Sequence, residues 1–334
     1  MPLVSILISV YNQAEFIKET INSILNQTFQ NFELIIVDDA SIDTSLSIIK
    51  SYKDNRIKVI QNAKNIGLTQ SLNKGLKQCS GEFVARLDAD DMMTTDRLEK
   101  QLNFLQNNPN VDIIGTQLVL INQEGGVIKK MNHWPIGLEQ NIFFVIIGDN
   151  PVAHPSVLIR KKLMNKLNGY NPNYSSSQDV DLWYRGYLSG YLTDNLTFFS
   201  TYYRQHDKQI SNLQDGQQIK NHKVAFNFFC TQLLDNEIKS DLIDEYFNII
   251  KNNNKIDLDK LVFIVHIFFK LLFSISVINN LDIKSQRKIW LLFLQRLNSK
   301  FHEIDIIVLI KLTKKYRIFH LNMLFPLWKI LRVN

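Results

Sequence analysis

The stretch Val4-Ser5-Ile6-Leu7-Ile8-Ser9-Val10-Tyr11-Asn12 is an apolar run near the start of the chain that ends in polar residues. No basic segment precedes it and no small-residue cleavage site follows it, so residues 3–10 are predicted to form a buried strand and not a signal peptide. Three similar runs follow, separated by segments with helical spacing; the runs are residues 32–37, 57–60 and 83–87, and the helical segments are 14–25, 44–51 and 68–77. This alternation predicts a mostly parallel β-sheet covered by helices.

Polar clusters follow three of the predicted strands at the point where each strand ends. They are residues 9–12, residues 38–41 and residues 88–91. The carboxyl ends of parallel strands meet at one edge of a sheet, and ligands bind at that edge. We therefore expect the three clusters to converge on one rim.

The segment Asp88-Ala89-Asp90-Asp91 is the most distinctive of these clusters. Aspartates two positions apart at a strand end point to the same side, and their like charges repel unless a proton or a cation bridges them. Oxygen ligands suit Mg²⁺ or Mn²⁺ carrying a diphosphate. The alternative is that Asp90 or Asp91 caps the helix that follows.

Asp38 and Asp39 end the second predicted strand, where a carboxylate can accept hydrogen bonds from a ribose hydroxyl or a base N–H. The alternative is a helix cap supported by Ser41 and Asp43. The chain has neither a Gly-x-Gly-x-x-Gly pattern after its first strand nor a P-loop pattern. A dinucleotide oxidoreductase and a P-loop NTPase therefore lose their main sequence support.

Composition and charge divide the chain of 334 residues, of which 45% are hydrophobic. A hairpin is predicted over residues 113–121 and 127–131, and from residue 214 the composition indicates helices, so we expect an α/β domain at 1–213 and a helical region at 214–334. The two cysteines fit a reducing, intracellular compartment. Residues 222–334 hold 17 Lys and Arg against 10 Asp and Glu, a balance that favours a polyanionic partner.

Four segments, taken together in order and spacing, resemble the family 2 glycosyltransferases of the GT-A fold; they are residues 4–12, 37–41, 65–68 and 85–91. The resemblance extends over residues 1–210 and stops there. It implies a Rossmann-like, mostly parallel sheet flanked by helices, and an enzyme that uses a nucleotide-sugar donor.

The resemblance also implies which residues bind the donor. Residues Ser9, Tyr11 and Asp39 match positions that line the nucleotide pocket, with Asp39 facing the uracil of a UDP-sugar. Asn65 and Asp88 are assigned to the same donor site.

A metal site is implied by the same likeness. Asp88 and Asp90 match the family's Asp-x-Asp motif, whose second carboxylate ligates the metal, and His206 resembles the histidine that closes the metal and diphosphate site. A histidine among oxygen ligands favours Mn²⁺ over Mg²⁺. The alternative for His206 is an isolated surface histidine. Arg204 and Lys208 could assist the diphosphate or could simply be solvated.

The catalytic base implied by the resemblance is Asp179. Gln178 replaces the glutamate that precedes the base in the family, which removes a charge without removing the base. Asp179 would take the proton from an acceptor hydroxyl as it attacks the anomeric carbon, with inversion. Asp181 is a close rival for this role, and the alternative for Asp179 is an N-cap of the following helix.

Three further residues, a histidine and two tryptophans, are candidates for contacts with the acceptor or a sugar. His154 lies in a segment that the family has on the acceptor side of its pocket. Trp134 and Trp183 could stack on a sugar or belong to the core.

The C-terminal region suggests a surface helix but no membrane span. His266 and Lys270 interrupt its most apolar stretch, residues 261–278. From residue 304, lysines and arginines alternate with large apolar residues, which suits an amphipathic helix on an anionic bilayer. The alternatives are a helical bundle with solvated lysines and, third, an RNA-binding surface.

We predict an inverting glycosyltransferase that moves a hexose or N-acetylhexosamine from a UDP-sugar to a hydroxyl of a glycan or lipid-linked glycan. The expected setting is bacterial surface polysaccharide or lipooligosaccharide biosynthesis, in the cytoplasm and peripherally at the inner face of the membrane, with no nucleic-acid partner. A sugar nucleotidyltransferase is one alternative, although a glycine-rich triphosphate loop is missing after the first strand. A non-catalytic glycan-binding or scaffold protein is the other.

Overall fold

The computed structural model describes residues 1–207, 209, 215–235, 237–251 and 258–300. The chain divides into two compact units. The first comprises Met1–Leu138 and Asn150–Ala225, and the second comprises Glu139–Asp149 and the described residues from Phe226 on.

Strands and helices are interspersed as far as residue 204, and every strand or helix described after that residue is a helix. In chain order they are β1 (Val4–Val10), α1 (Ile17–Leu25), β2 (Phe32–Asp38), α2 (Ser45–Ser51), β3 (Ile57–Gln61), α3 (Leu68–Leu76), β4 (Phe83–Arg86), β5 (Met92–Met93), α4 (Arg97–Asn107), β6 (Ile113–Ile121), β7 (Val127–Met131), α5 (Leu138–Ile146), β8 (Leu158–Arg160), α6 (Lys161–Lys166), α7 (Gln178–Leu188), β9 (Thr193–Arg204), α8 (Asp215–Leu233), α9 (Ser240–Lys251), α10 (Leu258–Ile278) and α11 (Ile283–Lys300).

The strands of the first unit form one mixed sheet. Its order is β3-β2-β1-β4-β8-β6-β9-β5, with β7 paired to β6. Strands β3, β2, β1 and β4 are parallel, as are β6 and β9, and the remaining pairs are antiparallel. The predicted α/β class is confirmed, and the predicted hairpin is β6 and β7. Because β2, β1 and β4 run parallel, their carboxyl ends lie at one edge.

Both faces of the sheet are covered, which explains why β1 and β2 are apolar at nearly every position. Ile6 and Ile8 point into one buried cluster, which also contains Ile21 of α1 and Leu102 of α4. Leu7 points into the opposite cluster, with the apolar side chains of α3. A strand buried on two faces loses the alternation of a half-exposed strand, so its position in the sequence is read from length and flanking polar residues.

Aromatic residues dominate the core of the second unit. The rings of Phe268 and Phe293 stack with centroids 3.7 Å apart, and Phe226 lies against Tyr246 and Phe247. None of the helices within the described ranges combines the length and apolar content that crossing a bilayer requires. The basic, apolar segment from residue 304 lies outside the described residues.

The turn into β4 requires glycine at position 81. A Cβ added there would lie 2.7 Å from the Ser5 backbone nitrogen and 2.8 Å from the Val4 carbonyl carbon, both in the central strand. We expect Gly81→Ala to cost roughly 1–3 kcal/mol of unfolding free energy, because backbone atoms cannot move aside as a side chain can.

Thermal unfolding of the two variants Gly81→Ala and Gly216→Ala tests this expectation. Gly216 has no atom within 4 Å of an added Cβ, so Gly216→Ala should leave Tm unchanged or slightly higher. Equal Tm values for the two variants would contradict the close packing at Gly81.

Candidate active site

The loops after β1 and β2 are joined by hydrogen bonds from both sides. The Asn12 N–H donates to Ser41 Oγ over 3.0 Å, and the Ile42 N–H donates to Asn12 Oδ1 over 2.9 Å. The Gln13 N–H adds a bond of 2.8 Å to Ser45 Oγ. Asn12 has a φ of +53°, and an uncommon backbone conformation of this kind persists where its surroundings fix it. The two loops therefore hold each other in a fixed conformation at the carboxyl edge of the sheet.

Asp39 fixes the loop that leads into α3. Its carboxylate accepts hydrogen bonds from Asn62 Nδ2 at 2.8 Å, from the Ile66 N–H at 2.9 Å and from the Gly67 N–H at 2.8 Å. Asn65 Oδ1 also accepts from Gly67, and the Asn65 side chain is exposed. A carboxylate has about four lone-pair positions, so these three bonds leave one acceptor position of Asp39 unused, on a residue that is 2% exposed.

An open pocket of about 400 Å³ lies beside Asp39. Its lining residues are Ala40, Ser41, Gln61, Asn62 and Ala63. Tyr11 is 44% exposed in the neighbouring loop, Ser9 is half-buried, and Asp38 is fully buried with its Oδ2 lacking a partner among the described residues. The predicted nucleotide-pocket residues thus occupy the carboxyl ends of β1 and β2.

The acidic loop, residues 88–91, follows β4 at the same edge. Asp88 forms an ion pair with Arg86, and His206 Nε2 lies 2.9 Å from Asp90 Oδ2. Asp91 is buried; it accepts a bond of 2.9 Å from the Arg204 N–H, while its Oδ2 has no partner in the part of the chain that is described. The three predicted metal-site residues Asp88, Asp90 and His206 are therefore neighbours in the fold.

Negative charge is concentrated in this loop. Burial raises the pKa of Asp88, and the charge of Asp90 adds to the effect against the opposing charge of Arg86. The pKa of Asp91 is raised well above its ordinary value by burial and by the charges of Asp90 and Asp88. Among the described residues, no three His, Cys, Asp or Glu side chains form a ready-made metal cage. Protein ligands at this loop would have to be supplemented by other oxygen atoms.

Arg204 holds the acidic loop in place through hydrogen bonds. Its guanidinium donates to the Asp90 carbonyl at 2.9 Å, to the Gln123 carbonyl at 2.6 Å and to Glu19 Oε2 at 2.5 Å, and the residue is 1% exposed. This arrangement replaces the interpretation of Arg204 as a diphosphate ligand, because each guanidinium nitrogen already has a protein acceptor. Lys208 lies outside the described residues.

The two candidate base residues have different surroundings in α7. Asp181 is buried and pairs with Arg185, whose Nε and Nη2 lie 2.8 and 2.7 Å from Asp181 Oδ2. Asp179 is half-buried, and Asn150 Nδ2 donates to its Oδ2 over 3.3 Å. Burial raises the pKa of Asp179, which makes the carboxylate a stronger proton acceptor.

Trp183 is fully buried, so of the two alternatives left open by the sequence it belongs to the core and does not stack on a sugar. Trp134 is half-buried, with its ring 3.9 Å from the ring of His133. His154 is buried against Tyr170, with His154 Nε2 and the Tyr170 hydroxyl 2.9 Å apart. Burial and the nearby charge of Arg86 hold the pKa of His154 well below its ordinary value, so its imidazole is neutral.

Two buried arginines were missed in the sequence. Arg86 pairs with Asp88 and is 2% exposed, and a cation in an otherwise apolar strand was a usable signal. Arg97 opens α4, where it looks like an ordinary helix-surface residue. Its guanidinium donates to the carbonyls of Arg86 and Pro155 at 2.9 Å each, and burial lowers its pKa to about 9.

Comparison with known proteins identifies a family over the part of the chain that contains the first three strand-end loops. Residues 5–167 match the model of glycosyl transferase family 2. The chain is 33% identical over 245 residues to an uncharacterized glycosyltransferase of Methanocaldococcus jannaschii, covering 70% of this chain and 83% of the relative. It is 32% identical over 219 residues to the O-antigen biosynthesis glycosyltransferase WbnJ of Escherichia coli, covering 62% and 82%.

A third relative and a solved structure are also similar to this chain. The putative teichuronic acid biosynthesis glycosyltransferase TuaG of Bacillus subtilis is 30% identical over 213 residues, covering 63% of this chain and 82% of the relative. Residues 1–349 of TarS from S. aureus, crystallised with UDP-GlcNAc, superpose with a TM-score of 0.58 at 19% identity, covering 92% and 94% of the two chains. This superposition supports the fold.

We expect Arg97→Met to lower the unfolding free energy by on the order of 2–4 kcal/mol, because it leaves buried carbonyl groups at the end of β4 without donors. Lys100→Met on the same helix is the matched control. Lys100 is half-exposed and pairs with Asp96, so its loss should change stability by no more than about 1 kcal/mol. Chemical denaturation measures both, and an Arg97→Met protein as stable as the control would contradict the role of Arg97.

Proposed function

Because this chain belongs to glycosyltransferase family 2 and is a glycosyltransferase, we propose that it transfers a hexose or N-acetylhexosamine from a UDP-sugar to a glycan hydroxyl with inversion. The observation that carries the proposal is the meeting of two features at one sheet edge. The pocket beside Asp39 suits a nucleoside, and the acidic loop with His206 against Asp90 suits a metal-bound diphosphate. The complex of TarS with UDP-GlcNAc is consistent with a UDP donor in a protein of this fold.

The donor would lie along the rim formed by the loops after β1, β2 and β4. Tyr11 is exposed beside the pocket and offers a ring face to the base, while Asp39 keeps an acceptor position for a base N–H. The interlocked Asn12 and Ser41 loops fix this surface before the donor binds. Little binding energy is then spent on ordering the protein.

A divalent cation at the acidic loop is part of the proposal. The unpartnered Asp91 Oδ2 and the mutual repulsion of the aspartates indicate negative charge in excess of what Arg86 and Arg204 neutralise. Asp90 and His206, with Asp88 beside them, would hold Mn²⁺ or Mg²⁺, and diphosphate oxygens and water would complete its ligands. The cation would neutralise charge on the departing diphosphate.

Asp179 acts as the base in this proposal. It takes the proton from the acceptor hydroxyl while that oxygen forms a bond to the anomeric carbon and the UDP oxygen leaves with the bonding electrons. Asp181 is less suited, because its carboxylate is already paired with Arg185. Neutral Asn150 orients Asp179 without adding a charge that would lower its basicity.

The acceptor and cellular setting extend the proposal. The names of WbnJ and TuaG refer to O-antigen and teichuronic acid biosynthesis, which favours a surface-polysaccharide precursor as the acceptor. The basic balance of residues 222–334 is compatible with work at the anionic inner face of the cell membrane on a lipid-linked glycan. In this proposal residues 1–213 carry the transferase site and residues 214–334 form the helical region.

Asp179→Asn should lower the rate of UDP release from a UDP-sugar by roughly 10²–10⁴-fold, because the amide cannot accept the proton. In the wild type, activity should disappear as pH falls through the raised pKa of Asp179, so the acid limb lies above that of an ordinary aspartate. Asp181→Asn is the comparison: it should lower Tm by removing the charge that pairs with Arg185, and the folded fraction should remain active. Equal turnover by wild type and Asp179→Asn would refute the base assignment.

A thermal-shift screen of UDP-, GDP- and CDP-sugars with and without Mn²⁺ tests the donor site. A UDP-sugar at about 100 times its Kd should add about 2.7 kcal/mol of stability, and only when metal is present. Asp90→Asn should remove this metal-dependent shift, whereas Asp96→Asn should keep it, since Asp96 pairs with Lys100 on α4. The donor proposal fails if no nucleotide sugar stabilises the protein in a metal-dependent way.

A further inference from the structure

The first turns of α8 contact the loop that leads into the base helix α7. Asn221 Nδ2 donates to the Ser176 carbonyl at 3.1 Å and to Ser176 Oγ at 3.0 Å. Ser177 Oγ donates to the Gln218 carbonyl at 3.0 Å. All of these residues belong to the unit that contains the sheet, yet α8 lies beyond the family match, which ends at residue 167.

Ser177 has a backbone conformation that this contact stabilises. It occupies the N-cap of α7 with a φ of +58° and a ψ of +21°, and its side chain makes no capping bond to the helix. A residue other than glycine held in the left-handed region costs about 1–3 kcal/mol unless its surroundings over-determine it. Here the hydroxyl is used by Gln218 instead of by α7, so α8 helps to fix the turn.

The turn at Ser177 determines where Asp179 points. Asp179 lies two residues later in the first turn of α7, and backbone N–H groups of Asp179 and Val180 stabilise its carboxylate. A second contact fixes α7 itself, since His222 Nε2 lies 3.2 Å from the hydroxyl of the buried Tyr184. Both the turn and the helix that carry the carboxylate are therefore held by residues 218–222.

We infer that Asn221 is a positioning residue, which through Ser176 and Ser177 aims the Asp179 carboxylate at the acceptor hydroxyl. The inference rests on the proposed role of Asp179 as the base. A displacement of the base by about 1 Å can cost on the order of 10²-fold in rate without altering the donor site. Asn221 therefore contributes to turnover and not to donor affinity.

Asn221→Ala and Asn221→Asp test the inference together. The aspartate keeps the shape of the side chain but has no N–H to donate to the Ser176 carbonyl, so it leaves no cavity that could unfold the protein. With UDP-GlcNAc and Mn²⁺, both variants should lower kcat at least about 10-fold, with the KM for UDP-GlcNAc unchanged. Lys220→Ala, an exposed neighbour on α8, is the matched control and should keep the wild-type rate.

A double-mutant cycle separates positioning from a general structural role. In the Asp179→Asn background, Asn221→Ala should cause no further loss, because the group it aims is absent. A further loss of the same size, a raised KM with unchanged kcat, or a wild-type rate for both Asn221 variants would overturn the inference. If Asp179→Asn is slow while the Asn221 variants are normal, only this inference fails; if Asp179→Asn turns over like wild type, the base assignment fails with it.

Discussion

Three aspartates within four residues at the end of β4 repel one another, and the buried guanidinium of Arg204 holds their loop in place. It bonds the Asp90 carbonyl, while the Arg204 N–H bonds Asp91, so the last residue of β9 fixes the loop through both its backbone and its side chain. This support acts on the Asp90 carbonyl and the Asp91 carboxylate and leaves the carboxylates of Asp88 and Asp90 to other partners. Those partners are Arg86 for Asp88 and His206 for Asp90.

The sequence predicted the parallel strands well because burial on two faces leaves long apolar runs that end abruptly in polar residues. Ser9 and Asp39 therefore fell at the correct strand ends. The pairing of β9 with β6 and the membership of Glu139–Asp149 in the second unit depend on contacts between distant segments, which local periodicity does not record.

Several residues of the site could be assigned only through their partners. Asp179 and Asp181 have the same chemistry and lie two positions apart on α7, and the ion pair of Asp181 with Arg185 is what distinguishes them. The sequence left solvation open for Arg204 and gave no signal for Arg97, yet both bond carbonyl groups more than ten residues away in the chain. A sequence shows that a charge is present, but its burial and its partner decide its role.

The residues of the proposed active site and the residues that hold them in place come from different parts of the chain. The acidic loop lies inside the matched family segment, and its support comes from Arg204 and His206. Asp179 also lies beyond that segment and is supported from Gln218 and Asn221. Arg204 and His206 contact the proposed donor loop, and Gln218 and Asn221 contact the proposed base loop. A chain that kept only the acidic motif would have the charges of the proposed metal site, but it would lack the contacts that hold the loop before α7 and the proposed base Asp179.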